Sequence, residues 1–105
     1  MIIDVSKEGT LVRISLRGRM DAVSSPDFDH AIEELMSGGE NEFLVEFSQL
    51  EYISSAGLQS LLAAAKRLEQ QQGKITLSGL KGAVREVFEI SGFDTLFPIL
   101  EPERD

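Results

Sequence analysis

Alternation of apolar and polar residues predicts two strands at the start of the chain. Apolar side chains within residues 2–5 suggest a short first strand, followed by a turn at residues 7–10. Residues 12–16 then alternate strictly, with Val, Ile and Leu separated by Arg and Ser, which is typical of a strand with one buried face. Gly18 interrupts this run, so we expect residues 19–21 to lead into a loop.

A helix is predicted after this loop. From Phe28 onward, apolar residues recur at i, i+4, i+7 and i+8, which places them on one stripe of a helix. Ser24 or Ser25 can cap its start, and Pro26 suits the first turn. The glycines at 38–39 should end it.

Strands and helices alternate along the rest of the chain. Residues 42–47 form a mostly apolar run that predicts an interior strand, with residues 48–53 as a connection. An Ala- and Leu-rich helix should run from the Ser54–Ser55 pair to about Gln72. A strand is expected at 74–78, a third helix around residues 84–88 ending at Gly92, and a last strand at 96–100.

This order of elements predicts an α/β fold: a single domain over residues 1–105, with a small mixed β-sheet covered by α-helices. Hydrophobic residues make up 42% and charged residues 27% of the chain, which is typical of a globular domain. The periodicity also predicts which residues are largely buried: Phe43, Val45, Phe47, Leu58, Leu61, Leu62, Leu77 and Phe88, with Val12, Ile14 and Leu16 on one sheet face.

The distribution of charge narrows the choice of partners. The net charge is −8, so nucleic acids and anionic membranes should repel the chain. Residues 20–65, which we call the acidic segment, contain nine acidic and no basic side chains. Such a segment can simply favour solubility, or it can dock a basic partner.

Residues that would support catalysis are scarce. The chain has no Cys and a single His, His30, and it lacks a phosphate-binding glycine loop and a G-x-S-x-G motif. We therefore expect no enzymatic activity, no metal and no cofactor. Neither a signal peptide nor an apolar run of membrane-spanning length is evident, so we expect a cytoplasmic location.

The most informative stretch is residues 47–58, where an apolar strand meets the Ala/Leu helix through two serines. A helix start presents unpaired N–H groups and a positive dipole end, so a serine hydroxyl there can cap the helix, and a phosphate on it would meet the same groups. Gly57 would keep the surface around Ser55 open to a partner. The alternative is that Ser54 or Ser55 is only an N-cap and that Gly57 serves packing.

The segment L-x-Y-I-S-S-A-G-L, between a strand and an Ala/Leu helix, resembles the STAS domain of bacterial anti-sigma factor antagonists. Residues 18–21 resemble the G-x-x-D loop of that family, and Ser24–Ser25–Pro26 opens the next helix. The resemblance implies a partner-switching protein whose unphosphorylated form binds an anti-sigma factor, itself a Ser kinase, and frees the sigma factor. Phosphorylation of the Ser two residues before the motif Gly, here Ser55, would switch binding off, and a PP2C-type phosphatase would reverse it.

Two positions depart from the family pattern. Ser54 stands where the family often has Asp, which makes Ser54 an alternative acceptor, and Ala56 replaces a second Ser. The resemblance implies a partner-binding surface that includes Asp21, Ser24, Ser54, Ser55, Ala56, Gly57 and Leu58. A constitutive STAS scaffold or accessory subunit of a signalling or transport complex is the alternative function, and a nucleotide-binding protein is a third possibility that the missing phosphate loop opposes.

Overall fold

A computed structural model describes residues 1–100 of the chain. The elements follow in this order: β1 (Ile2–Glu8), β2 (Leu11–Met20), α1 (Ser25–Ser37), β3 (Glu42–Ile53), α2 (Ser55–Gln70), β4 (Lys74–Ser78), α3 (Gly82–Ser91), a short 3₁₀ turn (Phe93–Thr95) and β5 (Ile99–Leu100). The predicted α/β class and the mixed sheet are confirmed.

The five strands form one sheet in the sequential order β1-β2-β3-β4-β5. β1 and β2 are antiparallel, and each later neighbour pair is parallel. Parallel neighbours require crossover connections of one hand, and the sequential order then brings α1, α2 and α3 to the same face of the sheet. The other face carries the alternate residues of the strands.

The core lies between the helices and this covered face. Val12, Ile14 and Leu16 are buried on it, as predicted, and the ring of Phe47 packs edge-on against that of Phe88 at a centroid distance of 5.6 Å. Of the predicted core residues, only Leu62 is not buried; it is half-buried. The apolar stripe of α2 runs through Leu58, Leu61 and Leu68, and Leu62 is turned about 100° from Leu61 on the helix.

Two predicted boundaries are wrong, and both concern the same edge of the sheet. β2 continues through Gly18, whose φ of +94° accompanies shifts in the pairing register, so the strand bulges there instead of ending. Residues 48–53 belong to β3 and are not a connection. Both strands are therefore longer than their local patterns indicate, because each stabilises the other by pairing.

Helix α2 and the last strand are also shorter than predicted. α2 ends at Gln70, and the predicted strand at 96–100 shrinks to Ile99–Leu100, preceded by the 3₁₀ turn. Gly92 ends α3 as expected, with a left-handed backbone. None of the helices within residues 1–100 combines the length and the apolar character needed to cross a bilayer.

Candidate functional site

The candidate site lies where β2 and β3 end side by side. Arg19 pairs with Tyr52 and Met20 with Ile53, although these partners are more than thirty residues apart in the sequence. The N–H of Ser54 then donates to the carbonyl of Met20 at 2.9 Å, which attaches the start of α2 to the end of β2. The carboxyl ends of parallel strands are a common position for binding sites in α/β proteins.

The two serines have different structural roles. Ser54 is the N-cap of α2: its backbone is extended, and its hydroxyl accepts from the N–H of Gly57 at 3.4 Å. Ser55 is the first helical residue and is exposed, and its hydroxyl makes no hydrogen bond within residues 1–100. The question of which serine caps the helix is thus resolved in favour of Ser54, and Ser55 has the accessible hydroxyl.

The prediction that Gly57 keeps the surface around Ser55 open is wrong, because Gly57 is buried. A Cβ at this position would lie 2.7 Å from Cγ1 of Ile53, 3.0 Å from Cγ of Met20 and 3.2 Å from the Met20 carbonyl oxygen. The first turn of α2 therefore packs directly on the ends of β2 and β3, and the absence of a side chain permits this close approach. The packing alternative is the correct one for Gly57.

The loop after β2 is held by its own hydrogen bonds. Oδ1 of Asp21 accepts from the N–H groups of Val23 and Ser24 at 3.1 and 3.0 Å, and the Ser24 hydroxyl accepts from the Asp21 N–H at 2.9 Å. The hydroxyl of Ser25 donates to the Asp21 carbonyl at 2.6 Å. The backbone N–H of Ser24, followed by its hydroxyl, lowers the pKa of the Asp21 carboxyl, and the charge of Arg19 contributes in the same direction.

The predicted partner-binding residues come together, but their exposure differs. Ser55 is exposed; Asp21, Ser54 and Ala56 are half-buried; Ser24, Gly57 and Leu58 are buried. The buried members can support a binding surface but contribute little area to it. Whether this set binds a partner stays a prediction.

The same edge also carries exposed residues outside the predicted set, among them Arg19, Val23 and Tyr52. The guanidinium carbon of Arg19 lies 4.2 Å from the centroid of the Tyr52 ring. The position of Tyr52 three residues before Ser55 was a usable signal, but its pairing with Arg19 requires knowledge of the strand register.

Part of the acidic segment is a solvent-facing surface of α1. Its exposed carboxylates are those of Asp27, Asp29, Glu33 and Glu34. Among residues 1–100, no grouping of His, Asp or Glu side chains has an arrangement that could hold a metal ion.

Comparison with known proteins assigns the family. The family model described as "Mlab, STAS domain" matches residues 3–101. BtrV of Bordetella bronchiseptica, provisionally named an anti-sigma factor antagonist, is 36% identical over 99 residues, which cover 94% of this chain and 85% of BtrV. The chain belongs to the STAS-domain family of anti-sigma factor antagonists.

Other relatives agree with this assignment. The anti-sigma-B factor antagonist of Listeria monocytogenes is 27% identical over 92 residues, which cover 88% of this chain and 81% of the relative. The structure of the anti-sigma factor antagonist SpoIIAA in its unphosphorylated form is similar to that of this chain. The TM-score between the two is 0.76 and the sequence identity is 18%, and the match covers 97% of this chain and 90% of SpoIIAA. The phosphorylated form of SpoIIAA from Bacillus gives a TM-score of 0.77 with 20% identity, over 98% of this chain and 93% of SpoIIAA. At these identities the SpoIIAA structures support the STAS fold.

Proposed function

We propose that this STAS-domain protein is a phosphorylation-controlled partner switch. Its unphosphorylated form binds an anti-sigma factor that is also a Ser kinase, and this binding releases the sigma factor. The kinase phosphorylates Ser55 and thereby ends the interaction, and a PP2C-type phosphatase restores it. The observation that carries the proposal is the hydroxyl of Ser55 at the start of α2, which is exposed and has no hydrogen-bond partner among residues 1–100. The neighbouring serine, Ser54, is occupied as the helix cap.

The start of α2 is chemically suited to carry a phosphate. Phosphorylation adds a charge of about −1.5 to −2, and the N–H groups and dipole of the first turn of a helix favour a negative charge. Ser55 points into solvent, so no buried contact has to break when the group is added. We therefore expect the modified protein to keep its fold.

The same charge would oppose partner binding. Ser55 lies within the acidic segment, and a hydrated dianion there would have to be desolvated before a partner could contact the surface. A loss of about 3 kcal/mol weakens binding more than 100-fold, which is enough for a switch.

The relatives support this mechanism by analogy. SpoIIAA exists in an unphosphorylated and a phosphorylated form, and both resemble this chain to the same degree, with TM-scores of 0.76 and 0.77. In that relative, phosphorylation is thus compatible with the STAS fold. For this chain, we infer a regulator that has no catalytic activity and needs no cofactor. We also infer that residues 1–105 form a single STAS domain and that the protein acts in the cytoplasm, where sigma factors operate.

The test is to incubate the protein with the purified anti-sigma factor Ser kinase of the same organism and ATP, and to map phosphate by mass spectrometry. We expect modification of Ser55 in the wild type and in Ser54→Ala, although loss of the N-cap should cost Ser54→Ala about 1 kcal/mol of stability. Ser55→Ala should bind the kinase without being switched off, and Ser55→Asp should fold normally but bind poorly.

The outcomes separate the alternatives. Phosphate on Ser54, or tight binding by Ser55→Asp, would overturn the assignment of Ser55. Binding of a partner without modification of either serine would favour a constitutive STAS scaffold instead.

A further inference from the structure

Strand β1 forms a free edge of the sheet. It is the outermost strand, and no strand within residues 1–100 pairs with its outer side. All of its residues pair with β2 without a shift in register, so the edge is regular along its whole length. Such an edge presents unpaired N–H and C=O groups to which another strand can add. The strand at the opposite edge, Ile99–Leu100, is too short to offer a comparable surface.

The hairpin between β1 and β2 determines which backbone groups of β1 face outward. Its turn has two residues between the paired Glu8 and Leu11, and the first of them, Gly9, has the positive φ, +61°, that such a turn requires. A two-residue turn closes on a hydrogen-bonded pair, and bonded and non-bonded pairs then alternate along the antiparallel ladder. The odd-numbered residues of β1 therefore direct their N–H and C=O groups away from β2; they are Ile3, Val5 and Lys7.

Val5 is an exposed apolar side chain in the middle of this edge. Its pairing partner Ile14 is fully buried, so Val5 lies on the face of the sheet that the helices cover. Val5 is nevertheless 48% exposed, because the helices do not extend over the edge, and this leaves room for a further strand. β1 has no Pro and no bulge to prevent pairing, and its lysine, Lys7, is bound to Glu40 of the same copy at 2.6 Å.

We propose that β1 is the docking surface for a second copy of this chain, and that the two β1 strands pair antiparallel about a two-fold axis at Val5. The two sheets then continue into one another, as in other cases of strand addition. The Val5 side chains of the two copies cover each other, and about six backbone hydrogen bonds form between the outward-facing groups. β1 contains none of the predicted partner-binding residues, so this inference is independent of the proposed function.

The sequence of β1 favours a second copy as the occupant, because the strand is complementary to itself about Val5. In this register Asp4 lies opposite Ser6 of the second copy, and none of the directly opposed pairs combines like charges. A two-fold axis at Asp4 would place that carboxylate opposite itself, and an axis at Ser6 would place Asp4 opposite Glu8. Like charges that face each other across strands are destabilising, so Val5 is the favoured centre.

The experiment measures the dissociation constant of the dimer by analytical ultracentrifugation over a range of protein concentrations. Wild type should show a monomer–dimer equilibrium. Val5→Lys and Val5→Glu, measured separately, should each raise the dissociation constant about tenfold or more, because the axis places each new charge opposite itself. An equal mixture of the two variants should dimerise again, since opposite charges then face each other. Ile90→Lys is the matched control and should dimerise like wild type, because Ile90 is 88% exposed but lies on α3.

Circular dichroism checks that each variant is folded, and amide hydrogen exchange of the wild type provides a test without substitution. The N–H of Val5 should exchange more slowly at high than at low protein concentration, whereas that of Ser6, which is bonded within the hairpin, should change less. A wild type that stays monomeric at every concentration would refute the inference. So would a folded Val5→Lys that dimerises like wild type, or a mixture of the two charged variants that stays monomeric. None of these outcomes bears on the phosphorylation of Ser55.

Discussion

Replacement of Gly57 by alanine tests whether close packing positions Ser55. Gly57 lies in the first turn of α2, two residues after Ser55, and the hydroxyl of Ser54 caps its N–H. A methyl group there would come within 3.2 Å of the Met20 carbonyl oxygen and closer still to the Ile53 and Met20 side chains. Either these side chains or the start of the helix must move.

Two opposing terms set the size of the effect. Forcing an extra methyl group into a packed site costs about 1–3 kcal/mol. Alanine is favoured over glycine within a helix by at most about 1 kcal/mol, and this gain partly offsets the cost. We expect Gly57→Ala to lower the free energy of unfolding by about 1–2 kcal/mol, and each kcal/mol should lower the Tm of a domain of this size by about 4–8 °C.

Urea denaturation followed by circular dichroism measures this difference. Gly38→Ala is the matched control, since Gly38 has a negative φ and its added Cβ would meet only ordinary contacts at 3.5 and 3.6 Å. That control should stay within about 0.5 kcal/mol of wild type. If Gly57→Ala is as stable as wild type or more stable, the close approach of α2 to Met20 does not require glycine, and the packing explanation is refuted.

Three further predictions follow from burial and charge. Leu61→Ala should lower the free energy of unfolding by about 2–5 kcal/mol because Leu61 is fully buried. Leu62 is only half-buried, so Leu62→Ala should lower it clearly less, and equal losses in urea denaturation would contradict this. Because folding depresses the pKa of Asp21, its charge stabilises the protein at neutral pH, and this contribution is lost as the pH falls through the folded-state pKa. The stability advantage of wild type over Asp21→Asn should therefore shrink as the pH falls from about 5 to below the ordinary carboxyl pKa, and a difference constant with pH would oppose a role for the charge. If the acidic segment docks a basic kinase, the association rate measured by stopped flow should fall as the salt concentration rises, because salt at 0.1 M screens exposed charges over about 10 Å. An association rate independent of salt would indicate that the segment serves only solubility.

Most of the fold was predictable because its signals are local. The alternation in residues 12–16 lies within one strand, and the helical stripe that begins at Phe28 lies within one helix, so each pattern can be read from a short stretch of sequence. They identified the covered face of the sheet and the start of the first helix, and the serine pair marked the start of the second. The motif around Ser55 likewise lies within one continuous segment, so its place between a strand and a helix was predictable.

The boundaries that failed depend on pairing between distant segments. Gly18 interrupts the alternation of β2, yet the strand continues to Met20 because β3 pairs with it as far as Ile53. A local pattern cannot report a bulge whose partner lies more than thirty residues away.

The sequence by itself determined that this protein is an α/β STAS domain with a serine pair opening its second helix. Only the tertiary structure decided that Ser54 is the cap, that Ser55 has the accessible hydroxyl and that Gly57 is buried. It also brought Arg19 onto Tyr52 beside the loop of Asp21. The physical reason is that periodicity specifies which face of an element is apolar, whereas exposure and close approach depend on which other segment packs against that face.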